Sequence, residues 1–323
     1  MSATLVTVAD VEKWFPVPGG GLFGPRPRLR ALDGVSVTVE RGEVLGVVGE
    51  SGSGKTTLGR AVLRLLEPTA GRITFDGEDI THLSRRRLRA LRPRMQLIFQ
   101  DPFSSLNPRM TVGSIVGAPL TVQRRGDAAA RARAVAEVLE LVGLPAAANR
   151  YPHEFSGGQR QRLGIARALS VEPELLVADE PVSALDVSVQ AQVLVLLRDL
   201  QTRRGLSFLF VSHDLAVVRW FCERLAVMYL GRIVEQGPTA EVFRKPLHPY
   251  TQVLRAASPD PDPALRTQLP RIEGEIPSAA NPPSGCHFHP RCPHVMPVCR
   301  QEYPALRDMG GGRQVACHLY NPG

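Results

Sequence analysis

A glycine-rich stretch, GESGSGKTT at Gly49–Thr57, constrains the fold of this chain more than any other feature. It follows an apolar run, Val44–Val48, and precedes a helix-like run, Leu58–Leu66. Glycine lacks Cβ, so the backbone can adopt positive φ and approach an anion closely. The spacing G-x-x-x-x-G-K-T is that of the phosphate loop, whose backbone amides cradle phosphates at the start of a helix. We therefore expect the chain to bind a nucleoside triphosphate.

Each part of this loop has a predicted role. Lys55 is expected to reach the β and γ phosphate oxygens, and the Thr56 hydroxyl to bind Mg²⁺. An ordinary glycine-rich turn is the alternative, but strand, spacing and helix all agree with a phosphate loop. The residues of this stretch expected to contact ATP are Gly49, Glu50, Ser51, Gly52, Ser53, Gly54, Lys55, Thr56 and Thr57.

Length and composition limit the number of domains and the classes of protein that are possible for this chain. Its 323 residues allow one main domain and a smaller appendage, and no apolar run approaches the ~20 residues that span a bilayer. The first residues lack a basic segment followed by a long apolar one, so we expect no secretory signal and a cytosolic chain. The net charge of +8 could indicate nucleic acid or an anionic membrane surface. Its densest cluster, Arg85–Arg94, predicts a solvated helix with Leu88 and Leu91 as one buried stripe.

The order of predicted elements favours an α/β fold. Apolar runs such as Leu5–Val8, Val35–Val39 and Ser207–Ser212 are typical of strands, and Asp76-Gly77 predicts a hairpin turn. Helix-like segments alternate with them; Ala128–Gly143 ends at a glycine. This alternation predicts a sheet with parallel strands and a phosphate site at their carboxyl ends.

Two adjacent acids follow the apolar run LLVA. Carboxylates at the end of a buried strand are costly unless they are used. Asp179 is expected to hold Mg²⁺ through water, and Glu180 to polarise the water that attacks the γ phosphate. A solvated acidic pair that caps a turn is the alternative.

A second anion site is predicted at FSGGQ, Phe155–Gln159. Ser156 stands at the N-cap of a helix, and two glycines expose free amides. One chain does not need two γ-phosphate cradles for one nucleotide. We therefore expect this site to close on a nucleotide held by another subunit.

These motifs together resemble those of the ATP-binding-cassette ATPases. The phosphate loop, Gln100, SGGQ, VADEP, SALD and His213 occur in that family's order over roughly residues 4–255. The resemblance implies an α/β cassette with a RecA-like parallel-sheet core and an N-terminal antiparallel β subdomain. It also implies a helical signature subdomain at about 101–172 and a small cysteine-containing C-terminal extension.

The resemblance assigns roles residue by residue. Phe15 matches the aromatic residue that stacks on adenine, with Trp14 as the alternative. Gln100 matches a residue that contacts Mg²⁺ and senses the transporter domains. The implied catalytic residues are Glu180, His213 and Lys55, and the implied Mg²⁺ residues are Thr56, Gln100 and Asp179. The residues that reach the opposing ATP are Ser156, Gly157, Gly158 and Gln159, and Asp186 matches the acid that crosses the dimer interface.

Longer matches indicate one branch of the family. QDPFSSLNPRMTV, YPHEFSGGQ, PVSALDVSVQAQ, HPYTQVL and GEIPSAANPPSGC resemble the ATPase subunits of bacterial oligopeptide and dipeptide importers. This implies a peripheral protein at the cytoplasmic face of the inner membrane that couples ATP hydrolysis to peptide import. The implied partners are a second ATPase subunit, two permease subunits and an extracytoplasmic substrate-binding protein, and no nucleic acid. A heterodimer is expected, a homodimer stays open, and Phe103–Met110 is expected to face a permease helix.

The expected domains are a nucleotide-binding domain, 1–255, and a C-terminal extension, 256–323, which begins with a proline-rich linker. Four cysteines of the extension are separated by five, six and seventeen residues: Cys286, Cys292, Cys299 and Cys317. Zinc knuckles generally carry C-x2-C pairs, which are missing here, and a reducing cytosol disfavours disulfides.

Three states of these cysteines stay open. Four thiolates can hold an iron–sulfur cluster, and the corresponding segment of the resembled importers is associated with a [4Fe-4S] cluster, which is the state we expect. Zinc is an alternative because four histidines lie nearby: His287, His289, His294 and His318. Free thiols are the third.

Function also has alternatives. Importers of this type carry nickel complexes, glutathione or sugars as well as peptides. A cassette ATPase acting on DNA or the ribosome usually has two cassettes, a long coiled coil or zinc insertions, none of which is evident here. An exporter ATPase is disfavoured by the C-terminal extension.

Overall fold

The computed structural model describes residues 3–17, 28–101, 106–257 and 277–320. Within them the chain forms two compact units. The signature unit consists of Met1–Ala3, Glu40–Glu43 and Leu83–Val211. The phosphate-loop unit consists of Thr4–Val39, Val44–His82 and Ser212–Gly323. Most of the predicted proline-rich linker, 258–276, and residues 103–105 of the predicted permease contact lie outside the described residues.

Both strands and helices occur throughout the described chain. The strands are β1 Thr4–Pro16, β2 Arg28–Glu40, β3 Val44–Val48, β4 Ala70–Phe75, β5 Glu78–Asp79, β6 Met95–Ile98, β7 Leu175–Asp179, β8 Ser207–Val211, β9 Arg224–Tyr229, β10 Arg232–Pro238, β11 Arg307–Asp308 and β12 Gln314–Val315. The helices are α1 Lys55–Val62, α2 Arg85–Leu91, α3 Val112–Val122, α4 Ala128–Leu141, α5 Gly157–Leu169, α6 Val187–Arg204, α7 Leu215–Phe221, α8 Thr239–Arg244 and α9 Pro249–Ala257.

The signature unit contains parallel strands in the order β8-β7-β6. Every residue of β7 and β8 is buried. Continuous apolar runs such as LLVA and FLFV suit this position, because strands of a parallel sheet are covered on both faces. The sheet places the carboxyl end of β7, at Asp179, opposite Val211 of β8.

The phosphate-loop unit contains two groups of strands. One has the order β11-β12-β10-β9-β3, in which β3 and β9 are parallel and the other pairs antiparallel. The other is an antiparallel sheet in the order β2-β1-β4-β5. Asp76 and Gly77 form the β4–β5 turn with φ values of 53° and 77°. The predicted hairpin and the predicted α/β fold are thus confirmed.

The prediction for the arginine-rich cluster was half wrong. Helix α2 forms where expected, but none of its residues is buried, and Leu88 and Leu91 are only half-buried. A helix of seven residues makes about two turns and cannot present a continuous apolar stripe.

None of the described helices is both long enough and apolar enough to cross a membrane.

A buried ion pair joins the C-terminal strands to β10. The guanidinium of Arg313 donates to the Glu235 carboxylate at 2.9 Å, and Glu235 is fully buried. The same carboxylate accepts the backbone amides of Leu247 and His248. A buried carboxylate is tolerated when its lone pairs are matched in this way, and removing one partner would be costly. This contact fixes the extension to the body of its unit.

Candidate functional site

The phosphate loop requires glycine at two positions for steric reasons. A Cβ at Gly49 would lie 2.2 Å from the carbonyl oxygen of Met228, and one at Gly54 would lie 2.3 Å from that of Ala31. Gly54 also has φ of 104°, which other residues rarely adopt. The loop is therefore packed tightly against β9 and β2, whereas a Cβ at Gly52 would meet nothing within 4 Å. This asymmetry leaves one side of the loop open to a ligand.

Lys55 begins α1 and is almost completely buried. Its ammonium donates to the carbonyl oxygens of Gly49 and Glu50 at 2.8 and 2.9 Å. The hydroxyl of Ser53 is buried without a hydrogen-bond partner. The buried ammonium of Lys55 at a helix N-terminus and the unpaired hydroxyl of Ser53 are groups that suit the phosphates of a nucleotide.

The side chain of Glu50 makes a contact that sequence reasoning missed. Its carboxylate binds the Arg291 guanidinium through two hydrogen bonds, of 3.0 and 3.2 Å. The two residues are 241 positions apart, and no local pattern links them. The cysteine-rich segment is thereby attached to the phosphate loop.

Asp179 and Glu180 follow β7 in the signature unit. Asp179 is the buried last residue of the strand, and Glu180 has φ of 48°. A glutamate in this left-handed region is uncommon, and such conformations occur often at functional sites. The amide of Gln100 donates to the Glu180 carboxylate at 2.9 Å. The structure thus brings together two of the predicted site residues, Gln100 and Glu180.

His213 lies in an exposed turn between β8 and α7. The Ser212 hydroxyl accepts the Asp214 amide at 3.0 Å, and the Asp214 carboxylate caps α7 by accepting the amides of Ala216 and Val217. These bonds fix the turn on both sides of the histidine. The backbone that carries the His213 imidazole is therefore held in one conformation.

The predicted signature is a capped helix N-terminus. The Ser156 hydroxyl accepts the Gln159 amide at 3.4 Å, and the Gln159 side chain accepts the Ser156 amide at 3.0 Å. This reciprocal capping box orients α5. Gly158 is buried against α6, since a Cβ there would lie 2.1 Å from Cγ1 of Val189. The exposed Ser156 and Gln159 flank this contact.

Phe155, where the resembled family more often has leucine, is an apolar anchor. It is only 4% exposed, and the Arg150 guanidinium carbon lies 4.3 Å from its ring centroid. The substitution therefore changes the packing beneath the helix start and leaves the amides of the glycines untouched.

Asp186 is exposed at the N-cap of α6, and its side chain makes no capping bond to that helix. The next residue, Val187, is 82% exposed. An apolar side chain and a carboxylate directed outward at one helix start are features of a contact surface.

Phe15 and Trp14 lie on β1 with different surroundings. The Trp14 ring has the Arg28 and Arg30 guanidinium carbons at 5.5 and 5.4 Å from its centroid. The Phe15 ring has the Lys13 ammonium at 5.3 Å. Cation–π contacts therefore engage both rings and do not distinguish them, and Phe15 stays the predicted adenine-stacking residue.

The four C-terminal cysteines are neighbours in the structure. Burial raises the pKa of Cys286 to about 12 and that of Cys317 to about 11, and nearby thiols add to both effects. No three His, Cys, Asp or Glu side chains of the described residues are grouped so as to hold a metal ion. This finding does not support the predicted [4Fe-4S] cluster at Cys286, Cys292, Cys299 and Cys317, or zinc at this segment.

The predicted site residues occupy both units. The phosphate-loop unit holds Phe15, the loop residues and His213, whereas the signature unit holds Gln100, Asp179, Glu180, the signature and Asp186. This distribution, together with the parallel strands and the capped glycine helix, defines an ATP-binding cassette.

Comparison with known proteins places the chain within that class. Residues 32–183 match the ABC transporter family, and residues 234–299 match the oligopeptide/dipeptide transporter C-terminal region. The chain is 58% identical, over 90% of its length and 92% of the relative's, to a protein of Brucella ovis named as a peptide import ATP-binding protein. It is 49% identical to the oligopeptide transport ATP-binding protein AppF of Bacillus subtilis, over 98% of both chains. It therefore belongs to the oligopeptide/dipeptide ABC transporter ATPase subunits.

Solved structures agree on the fold. The protein cbiO1 of Clostridium perfringens, part of the transporter complex cbiONQ, superimposes with a TM-score of 0.65 at 29% identity. That match covers 75% of this chain and 92% of cbiO1. A dimeric structure of the cassette MJ0796 bound to ADP and Pi matches equally well, with 30% identity over 73% of this chain and 99% of that one.

Proposed function

We propose that this chain hydrolyses ATP to drive the import of peptides through separate permease subunits. The observation that carries the proposal is the presence, on one chain, of a phosphate loop and a second, serine-capped helix start. The relatives named for peptide or oligopeptide import match over nearly the whole chain, including the C-terminal region. The phosphate loop and the serine-capped helix start are both expected of an importer ATPase.

The proposed assembly contains two cassettes. The solved cassette MJ0796 is dimeric, and the exposed Asp186 and Val187 supply a surface for such a contact. The partner is proposed to be a second, related ATPase subunit. Two permease subunits and an extracytoplasmic substrate-binding protein complete the importer, and the chain is peripheral at the cytoplasmic face of the inner membrane. Nucleic acid has no part in this function.

The residues of the chain have distinct proposed roles in hydrolysis. Lys55 and the loop amides hold the phosphates, and Phe15 stacks on adenine. Glu180 accepts a proton from the attacking water, which is directed at the γ phosphorus, and the bond to the β-phosphate oxygen breaks to give ADP and phosphate. His213 holds the γ phosphate, and Gln100 keeps the Glu180 carboxylate oriented. Placement and charge stabilisation supply most of the catalysis.

Magnesium fits the oxygen donors of this chain. The Asp179 carboxylate, the Thr56 hydroxyl and the Gln100 amide oxygen are the residues that would hold it, and hard oxygen ligands are those Mg²⁺ prefers. When bound, the ion neutralises charge on the phosphates.

The proposed function does not include an iron–sulfur cluster. Iron content and visible absorption of anaerobically purified protein test this point. Colourless, iron-free protein agrees with the arrangement of the thiols, and brown protein with stoichiometric iron would restore the sequence-based prediction.

Peptide uptake tests the proposal. A strain that lacks this chain should lose uptake of labelled di- and oligopeptides, and a plasmid copy should restore it. A Lys55→Ala copy should fail although it is expressed. Unchanged peptide uptake in the deletion strain, or loss of nickel uptake alone, would contradict the proposed cargo.

A further inference from the structure

Three groups of Glu50 are fixed by hydrogen bonds: the backbone amide, the backbone carbonyl and the side-chain carboxylate. Its amide donates to the Tyr250 hydroxyl at 2.8 Å, its carbonyl oxygen accepts the Lys55 ammonium at 2.9 Å, and its carboxylate binds Arg291 at 3.0 and 3.2 Å. Glu50 is thus the point at which the predicted phosphate-binding lysine and the C-terminal third of the chain meet. All four residues belong to the phosphate-loop unit.

Arg291 is held in place by its own surroundings. Its side chain is 7% exposed, and one of its nitrogens also donates to the Tyr229 hydroxyl at 3.4 Å. Burial alone would lower the pKa of Arg291, but hydrogen bonds to Glu50 and Tyr229 raise it above its ordinary value. The guanidinium is therefore charged, and its two-pronged contact is a strong type of hydrogen bond.

An aromatic cluster anchors the segment that carries Arg291. Phe288 is 1% exposed, and its ring centroid lies 5.3 Å from that of Tyr229 and 5.5 Å from that of Tyr250. Tyr229 follows Met228, whose carbonyl oxygen faces Gly49. The cysteine segment therefore packs against the same strand end that supports the phosphate loop.

We infer that Arg291 is a positioning residue for nucleotide binding, acting through Glu50 to hold the loop and the carbonyl that Lys55 contacts. The inference rests on the proposed ATP site. It gives the C-terminal segment a role that the cassette motifs do not contain: a change in this segment alters nucleotide affinity, and bound nucleotide in turn steadies the segment. Such coupling is reciprocal for binding.

Nucleotide affinity of the full-length chain tests the inference. Arg291→Ala should raise the Kd for MgATP about five- to twentyfold, in the lower range of couplings between sites. Arg291→Lys keeps the charge but cannot form the two-pronged contact, so it should lie between Arg291→Ala and wild type. The matched control is Arg300→Ala, an exposed arginine of the same segment, which should bind like wild type.

A double-variant cycle separates positioning from general loss of stability. If Arg291 acts through Glu50, Glu50→Ala and Glu50→Ala/Arg291→Ala should have the same Kd. Additive effects of the two substitutions, or a wild-type Kd for Arg291→Ala, would overturn the inference.

Reciprocity gives a second readout that does not depend on hydrolysis. MgATP should slow alkylation of the half-buried Cys292, measured by mass spectrometry, in the wild type. The slowing should disappear in Arg291→Ala, and equal protection in both proteins would overturn the inference.

Lys55→Ala distinguishes failure of the proposed ATP site from failure of the inference about Arg291. If the wild type binds no ATP, or Lys55→Ala binds it equally well, the proposed ATP site fails; if only the Arg291 results fail, the ATP site stands.

Discussion

The amide nitrogen of Gln100 lies 2.9 Å from a carboxylate oxygen of Glu180, although the two residues are 80 positions apart. Glu180 is also held at φ of 48° by the bond from its amide to the Val211 carbonyl, at 3.0 Å. Backbone and side chain of this glutamate are therefore both constrained. A carboxylate held in this way suits the role of general base that we propose for Glu180.

Glu180→Gln should nearly abolish ATP turnover, since the amide cannot accept the proton of the attacking water, while ATP binding is kept. We expect a loss of at least about 10²-fold, the range of a general base, with ATP-bound dimers accumulating on a sizing column. The matched control is Glu172→Gln, an exposed glutamate that also has positive φ, at 56°, and it should hydrolyse ATP normally. Full turnover by the Glu180 variant would remove this residue from its proposed role.

Gly158→Ala should disable the signature helix, because the new Cβ would lie 2.1 Å from Cγ1 of Val189. Either the Val189 side chain or helix α5 must shift. If the helix start shifts, we expect ATP-dependent dimerisation and turnover to fall at least about tenfold, with binding of one ATP kept. Sizing chromatography and phosphate release measure these effects.

Two variants serve as controls for Gly158→Ala. Gly164→Ala lies in the same helix with nothing within 4 Å of its Cβ and should be neutral or slightly stabilising. Val189→Ala removes the clashing methyl groups, so the double variant Gly158→Ala/Val189→Ala should regain activity. Failure of that rescue would show that the contact with Val189 does not explain the effect.

His248 makes the stability of the chain depend on pH. It is almost fully buried, its Nδ1 accepts the Tyr250 amide at 3.0 Å, and burial lowers its pKa from 6.5 to about 3. Between these values the unfolded chain binds one proton more than the folded chain. The free energy of unfolding should therefore rise with pH in this window, by up to about 1.4 kcal/mol per pH unit from this group.

His248→Asn offers an oxygen acceptor that does not titrate, so the slope between pH 4 and 6.5 should be smaller than in the wild type. Denaturant titrations at several pH values measure it. The exposed His153 provides the control, and His153→Asn should keep the wild-type slope. Equal slopes for the wild type and His248→Asn would contradict the assignment.

The local motifs were predictable because each one carries its chemistry within a few residues. The spacing alone identifies Gly49 to Thr57, the N-cap at Ser156 and the acids after β7. The contact of Glu50 with Arg291 could not be predicted, since it depends on where the C-terminal segment packs. The cysteines show the same limit: their spacing is compatible with several states and does not choose among them.

The Gly158 contact illustrates an intermediate case. The signature pattern predicted exposed amides, but it did not predict that this glycine is needed for packing against α6. The pattern predicts a role for the motif, while the neighbouring helix supplies the steric reason for one of its residues.

A structure of the Glu180→Gln protein with MgATP, its partner ATPase subunit and its permease tests the central claim most directly. The distance to measure runs from the Ser156 hydroxyl and the Gly158 amide to the γ phosphate held by the partner subunit's phosphate loop. We predict hydrogen-bond distances of about 3 Å. A closed, nucleotide-loaded complex in which this helix start contacts no triphosphate would contradict the account.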